Sequence, residues 1–290
     1  MTINEFTALA QSGALILDGA TGSNLRAAGM PSGVCSEKWI MEHPEPLIAL
    51  QRAYLAAGSR IVYAPTFGAN EISLALYGLE GAVEDMNRRL VDVSRRAVGD
   101  RCFVAGDMTT TGKMVDTPGA PNYDQLLTAY RKQAKILFEE GVDLFAVETM
   151  LGVTECCAAI EAIRSVCDLP VMCTLTLDAI GGAYFDGDAD QAAEMLPAVG
   201  ANAVGVNCGQ GPELYEMLIS RIAPTCPVPM IAKPNAGIPV MQPDGSAVYS
   251  LSPEGFAKGM LKLKNAGAKI LGGCCGTTPD HIRALKEICG

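Results

Sequence analysis

The sequence is poor in positive charge and in histidine, and each shortage excludes a class of function. Lys and Arg together number 22 against 32 Asp and Glu, which gives a formal net charge of −10. Nucleic acids and anionic membrane surfaces are bound by clustered cations, so we expect neither as a partner. Only two histidines are present, which is little for acid–base or Ser–His catalysis. We therefore expect chemistry that depends on a metal ion or on thiolates.

The N-terminus also lacks the features of a secretion signal. It has no basic start, and Glu5 precedes its apolar stretch. No later segment has the roughly 18 consecutive apolar residues of a transmembrane helix, so we expect a cytoplasmic protein. In that compartment the 11 cysteines should be reduced thiols. Their odd number and irregular spacing also argue against a disulfide framework.

Eight short apolar segments alternate with helical stretches along the chain. Each is apolar nearly throughout, which is typical of parallel strands that are buried on both faces. The predicted strands are 14–18, 60–66, 102–107, 143–149, 170–176, 202–208, 229–235 and 269–275. Four of the preceding helices are predicted to end in glycine, the usual residue where a helix turns into the next strand. These are Gly58, Gly141, Gly200 and Gly267.

Eight such units predict one α/β domain over residues 1–290, a single (β/α)8 barrel of the TIM type. The competing architecture is a doubly wound open sheet, which usually has a G-x-G-x-x-G turn after its first strand. Residues 18–24, DGATGSN, lack that spacing and so favour the barrel. No linker rich in serine and glycine divides the chain.

Polar residues end the predicted strands. In a barrel of this type the functional residues lie at the carboxyl ends of the strands, so we expect these side chains at one mouth. They are Asp18, Thr66, Asp107, Glu148, Thr176, Asn207 with Cys208, Lys233 with Asn235, and Cys274 with Cys275. We expect Asp107 and Thr176 only to cap the helices that follow them.

Three cysteines give the sharpest chemical signal. Cys208 follows the sixth predicted strand, and Cys274 with Cys275 follow the eighth. Adjacent residues on a regular strand point to opposite faces, so the pair can face one ion only if the backbone turns. The glycines on both sides of the pair allow such a turn. Three thiolates with one open position are the arrangement of a catalytic zinc site at the carboxyl ends of the strands.

The residues alone leave several interpretations open. Cys274 and Cys275 are either zinc ligands or inert small residues in a tight turn; an iron–sulfur cluster fits less well, because it usually takes four cysteines. Lys233 is either the Schiff-base lysine of a barrel lyase or a lysine paired with a neighbouring carboxylate. A further alternative is a non-catalytic subunit that only binds zinc or a thiol.

Six motifs between Asp18 and His281 carry a family resemblance. They read DGATGSNL, PTFGAN, VETM, GVNCGQGPE, KPNAG and GGCCGTTPDHI. In this order they resemble the homocysteine S-methyltransferase family, especially the homocysteine-binding barrel of the cobalamin-dependent methionine synthases. The resemblance implies a (β/α)8 barrel in which Cys208, Cys274 and Cys275 hold zinc. The sulfur of homocysteine would take the open position.

The resemblance also implies a substrate site. Asp18, the backbone of Gly19 and Glu148 would hold the amino-acid end of homocysteine. Asn235 would fill the fourth position on zinc before the substrate arrives. The betaine-dependent members have tyrosine directly after the matching glutamate, and this chain has Thr149, so the cobalamin type is favoured.

The implied function is zinc-dependent methylation of homocysteine to methionine, with a methylcobalamin-type donor. The chain ends just after its final predicted helix, so we expect the donor on a separate corrinoid protein or on missing cobalamin and folate domains. An onium donor such as S-methylmethionine would need no partner protein. Two departures from the family lie near the mouth: Pro65 stands where Asn is usual, and Thr110 where Pro is usual.

Overall fold

The computed structural model describes residues 1–178, 180–242 and 247–290. Ten strands lie within these ranges. They are β1 (Leu15–Ile16), β2 (Ile61–Tyr63), β3 (Phe103–Thr109), β4 (Leu144–Met150), β5 (Val171–Leu175), β6 (Ala203–Cys208), β7 (Met230–Pro234), β8 (Val240–Met241), β9 (Ala247–Val248) and β10 (Ala268–Leu271). The eight predicted strands are confirmed as β1 to β7 and β10. The short β8 and β9, which were not predicted, form a separate antiparallel pair.

The eight predicted strands form a parallel TIM-type barrel. Neighbours along the chain pair with one another from β2 to β7, after which β7 pairs with β10 and β10 with β1. A parallel bridge between Leu17 and Ile61 joins the two ends of this order. The ring therefore brings the carboxyl ends of all eight strands to one mouth.

Helices surround the barrel. They are α1 (Ile3–Gln11), α2 (Gly22–Ala27), α3 (Ser36–Glu42), α4 (Pro44–Ala57), α5 (Glu71–Ala75), α6 (Val83–Val98), α7 (Tyr123–Glu139), α8 (Val153–Arg164), α9 (Ala189–Ala198), α10 (Glu216–Ile222), α11 (Pro253–Ala266) and α12 (Pro279–Cys289). Single-turn 3-10 helices span Glu80–Ala82, Gly99–Arg101 and Pro212–Leu214. Among the described helices, none is both long and apolar enough to cross a membrane.

The core has two parts, one inside the barrel and one between the barrel and its helices. Alternate strand residues such as Leu144, Ala146 and Ile231 fill the interior, and Phe6 of α1 packs with them. The opposite strand faces pack against the helices in a larger apolar cluster. Side chains on a strand alternate between its faces, so the next inward positions along β3, β4 and β7 continue this interior toward the mouth. These positions are Asp107, Glu148 and Lys233.

Gly205 shows how closely two barrel strands approach. A Cβ atom on this residue of β6 would stand 2.0 Å from the carbonyl oxygen of Ile231 on β7. We expect Gly205→Ala to lower the free energy of unfolding by about 3 kcal/mol, because the backbone of the neighbouring strand must move. Urea denaturation measures this change. The control Gly81→Ala adds its methyl group where no atom lies within 4 Å. Equal stability losses in the two variants would contradict the prediction.

Candidate metal and substrate site

Three cysteine side chains converge at the mouth of the barrel. Cys208 ends β6, and Cys274 with Cys275 follow β10. Their sulfur atoms all lie within 4.8 Å of one another, so this cysteine cluster could hold a metal ion. Thiolates about 2.3 Å from one tetrahedral zinc ion lie about 3.8 Å apart, which is compatible with that bound. The structure therefore brings together the three residues that the sequence analysis chose as ligands.

Unusual backbone conformations present these sulfurs. Cys208 has φ +59°, in the left-handed region that few residues other than glycine adopt. Its carbonyl oxygen accepts a hydrogen bond of 3.2 Å from the Tyr215 hydroxyl. After β10, the amide of Cys274 donates to the carbonyl of Pro234 at 2.8 Å, and the carbonyl of Cys275 accepts from Ala236 at 2.9 Å. The cluster is thus anchored to the backbone that follows β7.

The glycines around the cysteine pair serve two different purposes. Gly276 has φ +82°, so it makes the predicted turn. Gly272 and Gly273 do not need that freedom, but they need to lack a side chain. A Cβ atom on Gly273 would lie 2.5 Å from the Thr277 hydroxyl oxygen, and one on Gly272 would lie 2.9 Å from the carbonyl oxygen of Asp18. Close packing, rather than flexibility, explains these two residues.

Two residues beside the cluster were missed as site residues. The buried Asn207 accepts from the Thr149 amide at 2.8 Å and donates to the Thr149 hydroxyl at 2.7 Å. Its amide nitrogen also lies 3.9 Å from the sulfur of Cys274. The Tyr249 side chain lies close enough to Cys275 to contribute to the lowered pKa of that thiol. Asn207 had a signal, since it ends a predicted strand, whereas Tyr249 belongs to no motif and is brought in only by the fold.

Hydrogen bonds among the three thiols set their protonation. Hydrogen bonds from Cys208 and Cys274 lower the pKa of Cys275. The hydrogen bonds of Cys274 to Cys208 and Cys275, together with burial, raise its pKa well above the ordinary value. For Cys208 the hydrogen bond with Cys274 acts to lower the pKa, but the hydrogen bond to Cys275 and burial raise it. The cluster therefore favours the thiolate form at Cys275 over the other two sulfurs.

A cavity of about 280 Å³ opens beside the cluster. Its walls include the cysteine cluster together with Asp18, Gly19, Asp107, Glu148 and Lys233. Asp18, Gly19 and Glu148 thus share one cavity with the three sulfurs. Asn235 is not among the residues that line it. Its side-chain nitrogen donates to the Gly209 carbonyl at 2.8 Å, and its buried Oδ1 has no hydrogen-bond partner in the described part of the chain.

A buried lysine lies between two carboxylates of this cavity. The Nζ of Lys233 is 3.5 Å from Oδ1 of Asp18 and 3.5 Å from Oε2 of Glu148. Burial raises the pKa of Asp18 to about 6, although Lys233 acts against this shift. Burial acts to lower the pKa of Lys233, but Glu148 and Asp18 raise it well above its ordinary value. Lys233 therefore stays protonated, which favours the paired lysine over the Schiff-base nucleophile.

The prediction that Asp107 and Thr176 cap helices was wrong. Asp107 lies within β3 and lines the cavity, while α7 is capped by Asn122. Helix α9 is capped by Asp188, and the Thr176 hydroxyl donates to the Asn207 carbonyl at 3.3 Å. Long loops separate these strands from their helices, so the strand-end residue is too far away to serve as a cap.

Comparison with known proteins places these features in a family. The family model described as homocysteine S-methyltransferase matches residues 15–289. Proteins named methionine synthase from Mycobacterium leprae and Mycobacterium tuberculosis are each 28% identical over 289 residues, which covers 93% of this chain. The match covers only 24% of either relative, so the chain spans about a quarter of the length of these curated relatives.

Solved structures show the same fold. The metallated form of the homocysteine methyltransferase MmuM from Escherichia coli superposes with a TM-score of 0.79 at 21% identity, covering 96% of this chain and 97% of that one. Its oxidized form gives 0.80 at 22% identity, covering 97% and 98%. At this level of identity the likeness confirms the barrel and does not assign residues.

The lowered pKa of Cys275 predicts its reactivity in reduced protein freed of metal. Because its pKa is lowered, its alkylation by iodoacetamide should rise less steeply between about pH 6 and pH 8 than that of an ordinary thiol. Burial raises the pKa of Cys167, outside the cluster, so its alkylation should rise about tenfold per pH unit. Mass spectrometry of the alkylated peptides measures both rates. A Cys275 rate that rises as steeply as that of Cys167 would rule this out.

Proposed function

Because this chain belongs to the homocysteine S-methyltransferase family, we propose that it is a zinc-dependent enzyme that methylates homocysteine to methionine. One observation carries the proposal: three sulfurs from the carboxyl ends of two separate strands converge beside an acidic cavity at the mouth of the barrel. Neither the cluster nor the cavity is needed to build the barrel. Together they offer a metal site next to a space for a small amino acid.

The cysteine cluster fits zinc. Soft thiolate donors select zinc over the hard cations that prefer oxygen, and three protein ligands leave one position open, as catalytic zinc sites do. When bound, zinc would keep the acceptor thiol deprotonated at neutral pH. We propose that Cys208, Cys274 and Cys275 are the ligands. We also propose that Asn235, with its unpartnered buried oxygen, takes the fourth position until the acceptor arrives.

The acidic part of the cavity suits the amino-acid end of the acceptor. We propose that Asp18, the Gly19 backbone and Glu148 form the wall against which this end lies. The acceptor would span from this wall to the cysteine cluster and hold its sulfur in one orientation. Methyl transfer is an in-line displacement, so fixed positioning of the sulfur contributes much of the acceleration.

The methyl donor is proposed to be a methylcobalamin-type group. The relatives named methionine synthase are about four times as long as the matching region, so most of their chain lies outside this barrel. We propose that the donor reaches the mouth on a separate corrinoid protein or on additional domains, and that the reaction takes place in the cytoplasm. A small onium donor is the alternative, and it would react without a partner.

The first test concerns the metal. We expect the reduced protein to hold about one zinc ion per chain after reconstitution, and Cys208→Ser and Cys275→Ser to lose most of it, since each removes a ligand. Elemental analysis after gel filtration measures the content. Cys167→Ser is the control, because Cys167 is only partly buried and lies outside the cluster. A metal-free wild type, or equal loss in the control, would refute the assignment.

The second test concerns the acceptor and the reaction. Homocysteine should add a fourth sulfur to the coordination shell of zinc, which X-ray absorption at the zinc edge detects. Methylcobalamin and homocysteine should then give methionine, with S-methylmethionine tested in parallel as the onium donor. Sulfur coordination without turnover by either donor would instead support the non-catalytic binding subunit.

A further inference from the structure

Asp107 is a buried carboxyl group without a partner. It is 5% exposed and lines the cavity, and its Oδ1 has no hydrogen-bond partner among the described residues. Its backbone is fixed by Thr66, whose hydroxyl donates to the Asp107 carbonyl at 2.8 Å and accepts from its amide at 3.1 Å. A buried polar group that lacks a partner is costly, so its persistence at a cavity points to a ligand.

The other acidic residues of the cavity already have partners. Asp18 and Glu148 share the Lys233 ammonium group, and Asp18 also accepts from the Tyr63 amide at 2.8 Å. Glu37 accepts from the Gly68 amide at 2.7 Å and from the Cys35 thiol at 3.4 Å. Of the acidic side chains that line the described cavity, Asp107 alone therefore has neither an ion pair nor a side-chain hydrogen bond.

The charges of the cavity leave room for one more cation. Four acidic side chains line it, and Lys233 is the only basic one among its described residues. Burial and the neighbouring Glu148 raise the pKa of Asp107 well above its ordinary value, which disfavours its ionised form while no ligand is bound. An ammonium group placed against it would stabilise the ionised form and complete its hydrogen bonding.

We propose that Asp107 is a specificity-determining residue that binds the ammonium group of the acceptor. Asp18 and Glu148 form a charged wall beside Asp107. The ammonium group of Lys233 already lies between these two carboxylates. A thiol without an amino group would leave Asp107 unpartnered and would bind more weakly. This inference rests on the proposed function and names the group that selects an amino-acid thiol.

A pair of ligands isolates the ammonium contact. Homocysteine and 4-mercaptobutanoate carry the same thiol and carboxylate and differ only in the amino group. We expect the zinc-loaded wild type to bind homocysteine about ten- to a hundredfold more tightly, as one charge-assisted hydrogen bond to a buried carboxylate suggests. In Asp107→Asn the ratio of the two affinities should fall toward one. Homocysteine should bind more weakly, while the affinity for 4-mercaptobutanoate stays the same. Calorimetric titration measures both affinities, with zinc content as the check on folding.

Glu37→Gln is the matched control, since it neutralises another carboxyl group that lines the cavity but already accepts two hydrogen bonds. Its ratio should stay well above that of Asp107→Asn. Asp107→Ser, which also removes the carboxyl group, should behave like Asp107→Asn and guards against a variant that does not fold. A full ratio in both Asp107 variants, or a ratio lost only in Glu37→Gln, would overturn the inference.

Failure of this inference is distinguishable from failure of the proposed function. A wild type that binds zinc but neither thiol would remove homocysteine as the acceptor and, with it, the role of Asp107. A wild type that selects homocysteine, combined with Asp107 variants that select it equally well, would leave the proposed function intact and remove only Asp107.

Discussion

The arrangement of the mouth depends on one buried cation. Lys233 of β7 lies between Asp18, just past β1, and Glu148 of β4, so a single ammonium group ties together the ends of three strands. It also lies 4.5 Å from the centre of the Tyr63 ring, whose π face favours a cation. Removing one partner of such a buried set leaves an uncompensated charge, at a cost of about 3–5 kcal/mol. Lys233 also helps to lower the pKa of Cys275, so it links the two carboxylates to the cysteine cluster.

The fold and the three cysteines could be predicted because both depend on patterns that are visible along the sequence. Continuous apolar segments indicate parallel strands, and a closed parallel barrel places every strand's carboxyl end at one mouth. Once that is known, Cys208 and Cys274 must lie near each other despite their distance in sequence. The glycine pair before Cys274 was noticed for the wrong reason, since Gly272 and Gly273 make room for Asp18 and Thr277.

The remaining features depend on the direction of side chains and on loop lengths, which the sequence pattern does not give. Asp107 was expected at the end of a strand, where it could cap the helix that follows. It lies inside β3 instead, and only the pairing of β3 with β4 shows this. Lys233 lies between two carboxylates only because the fold brings the ends of β1, β4 and β7 together. Tyr249 reaches Cys275 from the segment between β7 and α11, and no motif marks it.

The packing of Tyr249 on Gly276 ties two distant sequence positions to each other. A Cβ atom on Gly276 would stand 2.2 Å from Cγ of the Tyr249 ring. Any side chain at Gly276 would displace that ring, so position 276 can gain a side chain during evolution only if the residue at position 249 changes or moves as well. Exposed apolar residues lie just before Tyr249, among them Val240 and Met241. Exposed side chains are less constrained by packing, so this segment can diverge in sequence while Tyr249 keeps its contact with Gly276.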